Sequence, residues 1–180
     1  MTPLHLSHNH FELFGLPARF AVDLRQLDLG YRDMQSRVHP DRFANASEAE
    51  RRVSMQWATR VNEAYQTLRV PLRRAGYLLE LAGIDPGVES KTAMPADFLA
   101  EQMEWREALE EAQAQRDAGE LGSLGRRLGV ELANLYAAIG RQLDRQDHAD
   151  AVATLRKLMF LEKLRSAIEE ALEMIEEQRA

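Results

Sequence analysis

Val38-His39-Pro40-Asp41-Arg42-Phe43 interrupts a strongly patterned helical sequence with a tripeptide too polar to be core. Pro40 disfavours helical geometry at His39, so the preceding helix is predicted to end there, and Asn45 and Ser47 favour a turn before a new start. Upstream, Asp23 can cap a helix and Gln26 stands three residues on, the spacing of a capping box. Leu24, Leu27, Tyr31, Met34 and Val38 then recur at steps of three and four. That stripe faces a core and leaves Arg25, Asp28, Arg32 and Asp33 toward solvent. Downstream, Ser47 and Glu50 repeat the capping spacing, and Val53, Trp57, Val61, Ala64, Tyr65 and Leu68 mark the buried face of a second helix. Two helices joined this way form an antiparallel hairpin with the His-Pro-Asp loop at its tip. A polar loop between rigid helices suits recognition. Taken alone, the tripeptide reads equally well as a helix-breaking proline with two solvated neighbours.

The flanking sequence extends the helical pattern. Phe11, Leu13, Phe14 and Leu16, closed by Gly15 and Pro17, predict a short helix docked on the hairpin. Pro71 suits the first turn of a further helix bearing Leu72, Ala75, Leu78 and Leu79, with Gly83 as its C-cap. Residues 84–94 lose periodicity and contain Pro86 and Gly87, which makes them the linker between a first domain, 1–83, and a second, 95–180. Pro95 can open the first helix beyond it, with Phe98, Leu99, Met103, Trp105 and Leu109 as its large apolar residues and Gly119 near its end. A second helix follows from Leu121, Leu124, Leu128, Leu132, Leu135, Ile139 and Leu143, and a third from Val152, Leu155, Met159, Ile168, Leu172 and Ile175. Long helices with short loops predict an antiparallel three-helix bundle, so the fold class is all-α.

Charge and composition narrow the chemistry. Residues 1–83 carry 11 Arg against 9 Asp or Glu, whereas residues 84–180 carry 12 Lys or Arg against 20 Asp or Glu. The acidic second half argues against nucleic acid as its ligand, since phosphate binding needs a basic face. The absence of cysteine excludes thiolate catalysis, disulfides and Cys-ligated metal or iron–sulfur sites in this chain. No run of eighteen apolar residues and no secretory signal pattern is present, which predicts a cytoplasmic protein without a membrane partner. His5, His8 and His10 are irregularly spaced near a terminus and read as solvated rather than as a metal site. Gly119, Gly122, Gly125 and Gly129 lack a preceding strand and a Gly-Lys-Ser/Thr signature, so they form no phosphate loop. Each interior glycine instead weakens its helix by roughly 1 kcal/mol relative to Ala.

Taken together, Tyr31 eight positions before His39, the His39-Pro40-Asp41 tripeptide, and Val61-Asn62-Glu63-Ala64-Tyr65-Gln66-Thr67-Leu68 resemble the J domain of DnaJ-type co-chaperones over roughly residues 10–83. Residues 11–19 (FELFGLPAR), 98–107 (FLAEQMEWRE) and 155–165 (LRKLMFLEKLR) further resemble the HscB family, J-proteins dedicated to bacterial iron–sulfur cluster assembly. The resemblance implies that the J domain binds the ATPase domain of HscA, a specialised DnaK-type chaperone, through His39, Pro40, Asp41, Tyr31, Arg25, Arg32 and Arg42. It implies a second partner, the cluster scaffold IscU, bound by the acidic bundle through Leu99, Ala100, Met103, Glu104, Glu107, Glu111 and Phe160. Ala100 is smaller than the side chain of some relatives. Asp28 and Asp33 stand where J domains are often basic, and Val38 where an aromatic is common, departures that suggest a narrow partner choice. The resemblance implies no catalytic residue, cofactor or metal, and eukaryotic relatives carry a cysteine-rich N-terminal module that this sequence lacks.

A His39–Asp41 acid–base pair competes for the same atoms, but the sequence suggests no nucleophile, metal site or second base beside it. A general J-protein delivering unfolded clients would be expected to carry Gly/Phe-rich or zinc-bearing segments. A helical adaptor with an incidental tripeptide is the third class left open.

Overall fold

The computed structural model describes residues 8–39, 46–85 and 96–177. Among them every regular element is an α-helix. The chain divides into two units, Met1–Ala82 and Gly83–Ala180. Most of the expected linker, residues 86–94, lies outside the described residues, as does Pro95.

The first unit begins with α1 (His10–Leu13), where Asn9 and Glu12 make a full capping box that the sequence reading missed. Next come α2 (Leu24–Val38), α3 (Glu48–Arg69) and α4 (Pro71–Leu81). Asp23 caps α2 by accepting from the backbone N–H groups of Arg25 and Gln26. Ser47 and Glu50 cap α3 reciprocally; the Ser47 hydroxyl and N–H both donate to the Glu50 carboxylate, which holds its pKa below the usual range. Pro71 opens α4, and Gly83 follows its end with φ +79°, a conformation that glycine adopts without strain.

Three cross-helix hydrogen bonds fix the α2–α3 register: Ser54 with Val38, Tyr31 with Asn62, and Tyr65 with Asp28. One residue number falls as its partner rises, so the helices are antiparallel, as expected. Phe11, Leu27, Val61 and Leu68 are completely buried in the core that these helices share with α1, each contributing on the order of 2 kcal/mol. Two expected core residues are not core. Leu24 is 49% exposed in the first turn of α2, and Val53 is 51% exposed near the start of α3. It is the neighbouring Ser54 that turns inward to the end of α2, and Val53 lies about 100° around α3 from it. Gly30 lets α2 approach the short N-terminal helix: a Cβ there would stand 3.1 Å from the Phe14 Cβ and 3.2 Å from its carbonyl oxygen.

The second unit is a bundle of α5 (Ala96–Ala114), α6 (Ala118–Asp144) and α7 (His148–Glu177). Leu121, Leu124, Leu128 and Ile139 from α6 meet Leu158, Leu161 and Ile168 from α7, all essentially without exposed surface. Gly119 is not near the end of α5, which stops at Ala114; it lies in the first turn of α6, where its N–H donates to Asp117 Oδ1 at 2.9 Å. The two inter-helix turns are built alike. Arg116 and Gln146 adopt positive φ (51° and 60°), and the N–H groups of Asp117 and Asp147 reach back five residues to Ala112 and Gln142. The backbone thus closes both helix ends with the reach-back pattern usually completed by glycine, which is why these turns carried no glycine signal. Met159, placed in the stripe of the third helix, is exposed instead.

Candidate functional site

The first candidate surface is the hairpin tip. α2 ends at Val38, and His39 takes φ −59° and ψ 129°, the extended geometry required before proline. His39 is exposed. Pro40, Asp41 and Arg42 lie outside the described residues. The approach to the tip is well anchored. A helix end leaves its last carbonyls without N–H partners, and buried Ser54 of α3 donates its hydroxyl to the Val38 carbonyl at 2.7 Å. Nothing in the sequence marked Ser54 beyond its place on α3.

Tyr31 braces the hairpin. Its ring stacks on Tyr65 with centroids 4.0 Å apart, and its hydroxyl donates to Asn62 Oδ1 at 2.8 Å. Tyr65 in turn donates to Asp28 Oδ1 at 2.8 Å and accepts from Arg69. The Asp28 hydrogen bond, followed by burial, raises the Tyr65 pKa. Asp28 is therefore engaged inside the domain rather than displayed only as a surface charge.

Arg25 and Arg32 are exposed on α2. At about 100° per residue they share a face with Leu29, and His39 lies close to the same line. Leu29 is 66% exposed. It escaped the sequence reading because it lies outside the buried stripe, and an exposed leucine is visible only once that stripe is fixed.

The second candidate surface lies on α5 and α7. The buried stripe of α5 runs through Phe98, Leu109 and Ala112. Leu99 and Met103 fall about 100° and 140° around the helix from Phe98 and are 48% and 61% exposed. They are surface residues. Ala100, Glu104, Glu107 and Glu111 are exposed as well. Phe160 of α7 is half-buried and meets Phe98 edge-to-face, with centroids 6.0 Å apart and planes at 87°. Each ring carries a cation. The Arg106 guanidinium lies 5.5 Å from the Phe160 centroid, and Lys157 Nζ lies 5.1 Å from that of Phe98 while pairing with Glu101 at 3.9 Å. Arg106 and Lys157 were not singled out from sequence, because cation–aromatic contacts between helices have no local signature.

No helix among the described residues is long and apolar enough to cross a membrane, and no group of three metal-ligating side chains occurs among them.

Residues 94–169 match the family model described as the HSCB C-terminal oligomerisation domain. The chain is 51% identical over 174 residues to a co-chaperone protein HscB homolog from Aromatoleum aromaticum, covering 96% of this chain and 98% of that one. It is 52% identical over 171 residues to the homolog from Burkholderia thailandensis, covering 95% and 98%. The chaperone HscB structure from Vibrio cholerae superposes with a TM-score of 0.84 at 39% identity over 93% of this chain and 99% of that chain. The human co-chaperone HscB superposes with a TM-score of 0.85 at 28% identity, over 92% and 83%. The all-α architecture, a J-like N-terminal hairpin followed by a helical C-terminal bundle, is that of these structures. With half the sequence identical over nearly its whole length, and with both helical units matched, the chain belongs to the HscB co-chaperone family.

Proposed function

We propose that this protein stimulates ATP hydrolysis by the DnaK-type chaperone HscA and delivers the scaffold IscU to it, acting in the cytoplasm during maturation of iron–sulfur proteins. The observation that carries the reading is the exposure of Leu99 and Met103 on α5, beside half-buried Phe160 and the exposed Glu104, Glu107 and Glu111. Apolar side chains displayed on one helical face with a charged border suit a protein interface better than a solvated surface. Ala100 completes that face. Residues 95–180 would then form the scaffold-binding domain and residues 1–83 the J domain, joined by 84–94.

On the J domain, His39, Pro40 and Asp41 present the recognition loop. The Asp41 carboxylate is suited to an arginine of the partner, and Arg25, Arg32 and Arg42 steer toward an acidic surface. Tyr31 holds the loop-bearing helix in place through Tyr65 and Asn62. These contacts stimulate hydrolysis by binding the hydrolysis-competent state of the chaperone more tightly than its resting state. The bond-breaking chemistry belongs to the partner ATPase.

Single-turnover ATP hydrolysis by HscA tests the reading, with this protein, its Asp41→Ala form, and IscU added to each. Acceleration that requires Asp41 and rises further with IscU is expected. Acceleration of a general DnaK-type chaperone in place of HscA supports client delivery, and no acceleration of either removes the co-chaperone reading. Phe160→Ala should weaken IscU binding by about 1–3 kcal/mol while leaving stimulation in the absence of IscU intact.

A further inference from the structure

We propose that Arg106 is a positioning residue of the scaffold-binding patch, holding the Phe160 ring in the orientation that the partner meets. The inference rests on the reading of Leu99, Met103 and Phe160 as that patch. Arg106 stands three residues beyond Met103 and seven beyond Leu99, so all three share one edge of α5. From that edge its guanidinium reaches across to α7 and lies over the Phe160 ring, 5.5 Å from the centroid. Phe98 meets the same ring edge-to-face from the bundle side, and Phe98 is held in turn by burial and by Lys157, which is paired with Glu101.

Phe160 is only partly covered by the core. A half-buried phenylalanine at a bundle edge has no hydrogen bond to fix it, and its χ1 and χ2 are restrained only by what touches the ring. Arg106 supplies a restraint from the solvent side. A cation attracted to the ring's negative face favours one orientation, and the planar guanidinium covers that face without burying its own charge. The side chain is conspicuous in its setting, because Glu104, Glu107, Glu110 and Glu111 surround it in sequence. A patch arranged before the partner arrives binds more tightly, since less side-chain ordering is left to association.

The test is a double-mutant cycle on the full chain, reading affinity for the scaffold protein by calorimetry. The variants are Arg106→Gln, Arg106→Lys, Phe160→Ala and Arg106→Gln/Phe160→Ala, with thermal melts to confirm folding. Arg106→Gln is expected to weaken binding about two- to fivefold. Arg106→Lys, which keeps a cation over the ring, should recover most of that loss, and Arg106→Gln should add nothing in the Phe160→Ala background. An equal loss in both backgrounds would mean that Arg106 touches the scaffold directly, and overturns the proposal. Unchanged affinity in Arg106→Gln, with a clear loss in Phe160→Ala, overturns it while leaving the patch in place. Unchanged affinity in Phe160→Ala removes the patch and the positioning role together.

Discussion

The Ser54 hydroxyl donates to the Val38 carbonyl at 2.7 Å, tying the last residue of α2 to the body of α3 one residue before His39. Val38 is the last residue of α2, where helix carbonyls run out of N–H partners within the helix. The bond gives the hairpin tip a fixed point of departure.

Ser54→Ala removes the hydroxyl and takes its hydrogen bond from the buried Val38 carbonyl. A loss of about 1–3 kcal/mol is expected, read as a lower denaturant midpoint at unchanged slope. Chaperone stimulation should fall at temperatures where the variant is still fully folded, because the tip loses its anchor. Full stimulation in the folded variant would show that Ser54 serves stability alone.

Leu29, between Arg25 and Arg32 on the exposed face of α2, separates apolar from electrostatic contributions to chaperone binding. Leu29→Ser should change stability by less than about 0.5 kcal/mol and weaken stimulation at every salt concentration by the same factor. Arg25→Gln and Arg32→Gln should instead flatten the salt dependence. Wild-type stimulation in Leu29→Ser would take this face out of the apolar contact.

His10, read from the sequence as solvated, is instead partly covered: it stacks on Tyr77 at 4.1 Å between centroids, and the Tyr77 hydroxyl accepts from its backbone N–H. Burial lowers its pKa below the ordinary 6.5, Glu63 opposes the shift, and Arg60 adds to it. Folding therefore favours the neutral ring. The unfolded chain binds the proton first, so this part of the stability is complete above about pH 6.5 and is lost as pH falls through the folded-state value. Urea midpoints of wild type and His10→Gln at pH 7.5 and 5.5 check the sign: the wild type should lose more on acidification. Equal losses would place the acid sensitivity elsewhere.

Gly30 and Gly129 should respond to alanine in opposite senses. A Cβ at Gly129 meets nothing within 4 Å, so Gly129→Ala should add about 1 kcal/mol of helix stability. At Gly30 the new methyl presses on the Cβ and carbonyl of buried Phe14. Overpacking of about 1–3 kcal/mol then outweighs the propensity gain, and a lower melting temperature is expected. A stabilised Gly30→Ala would mean that the short N-terminal helix shifts freely.

Local chemistry was legible in the sequence wherever one segment decides its own conformation. Asp23 and Ser47 as caps, Pro71 at the start of α4, Gly83 at its end, and the break at His39 all follow from residues within a turn of the feature. The order of the helices among the described residues, and the central stripes of α2, α3 and α6, followed from periodicity in the same way. Asn9 and Glu12 met the same rule and could have been read.

Tertiary structure decided what covers each stripe and what lies beside it. Leu24 and Val53 keep helical spacing yet are about half exposed, while Leu99 and Met103, placed among the apolar residues of their helix, are turned outward by the choice of Phe98, Leu109 and Ala112 as the buried line. Residues distant in the chain also meet only through folding: Ser54 with Val38, Tyr65 with Asp28, Arg106 with Phe160. Periodicity reports which face of a helix is apolar, a property of one segment. Burial and contact are properties of two or more segments at once, fixed by register, crossing and helix length, and those depend on the packing of the whole unit.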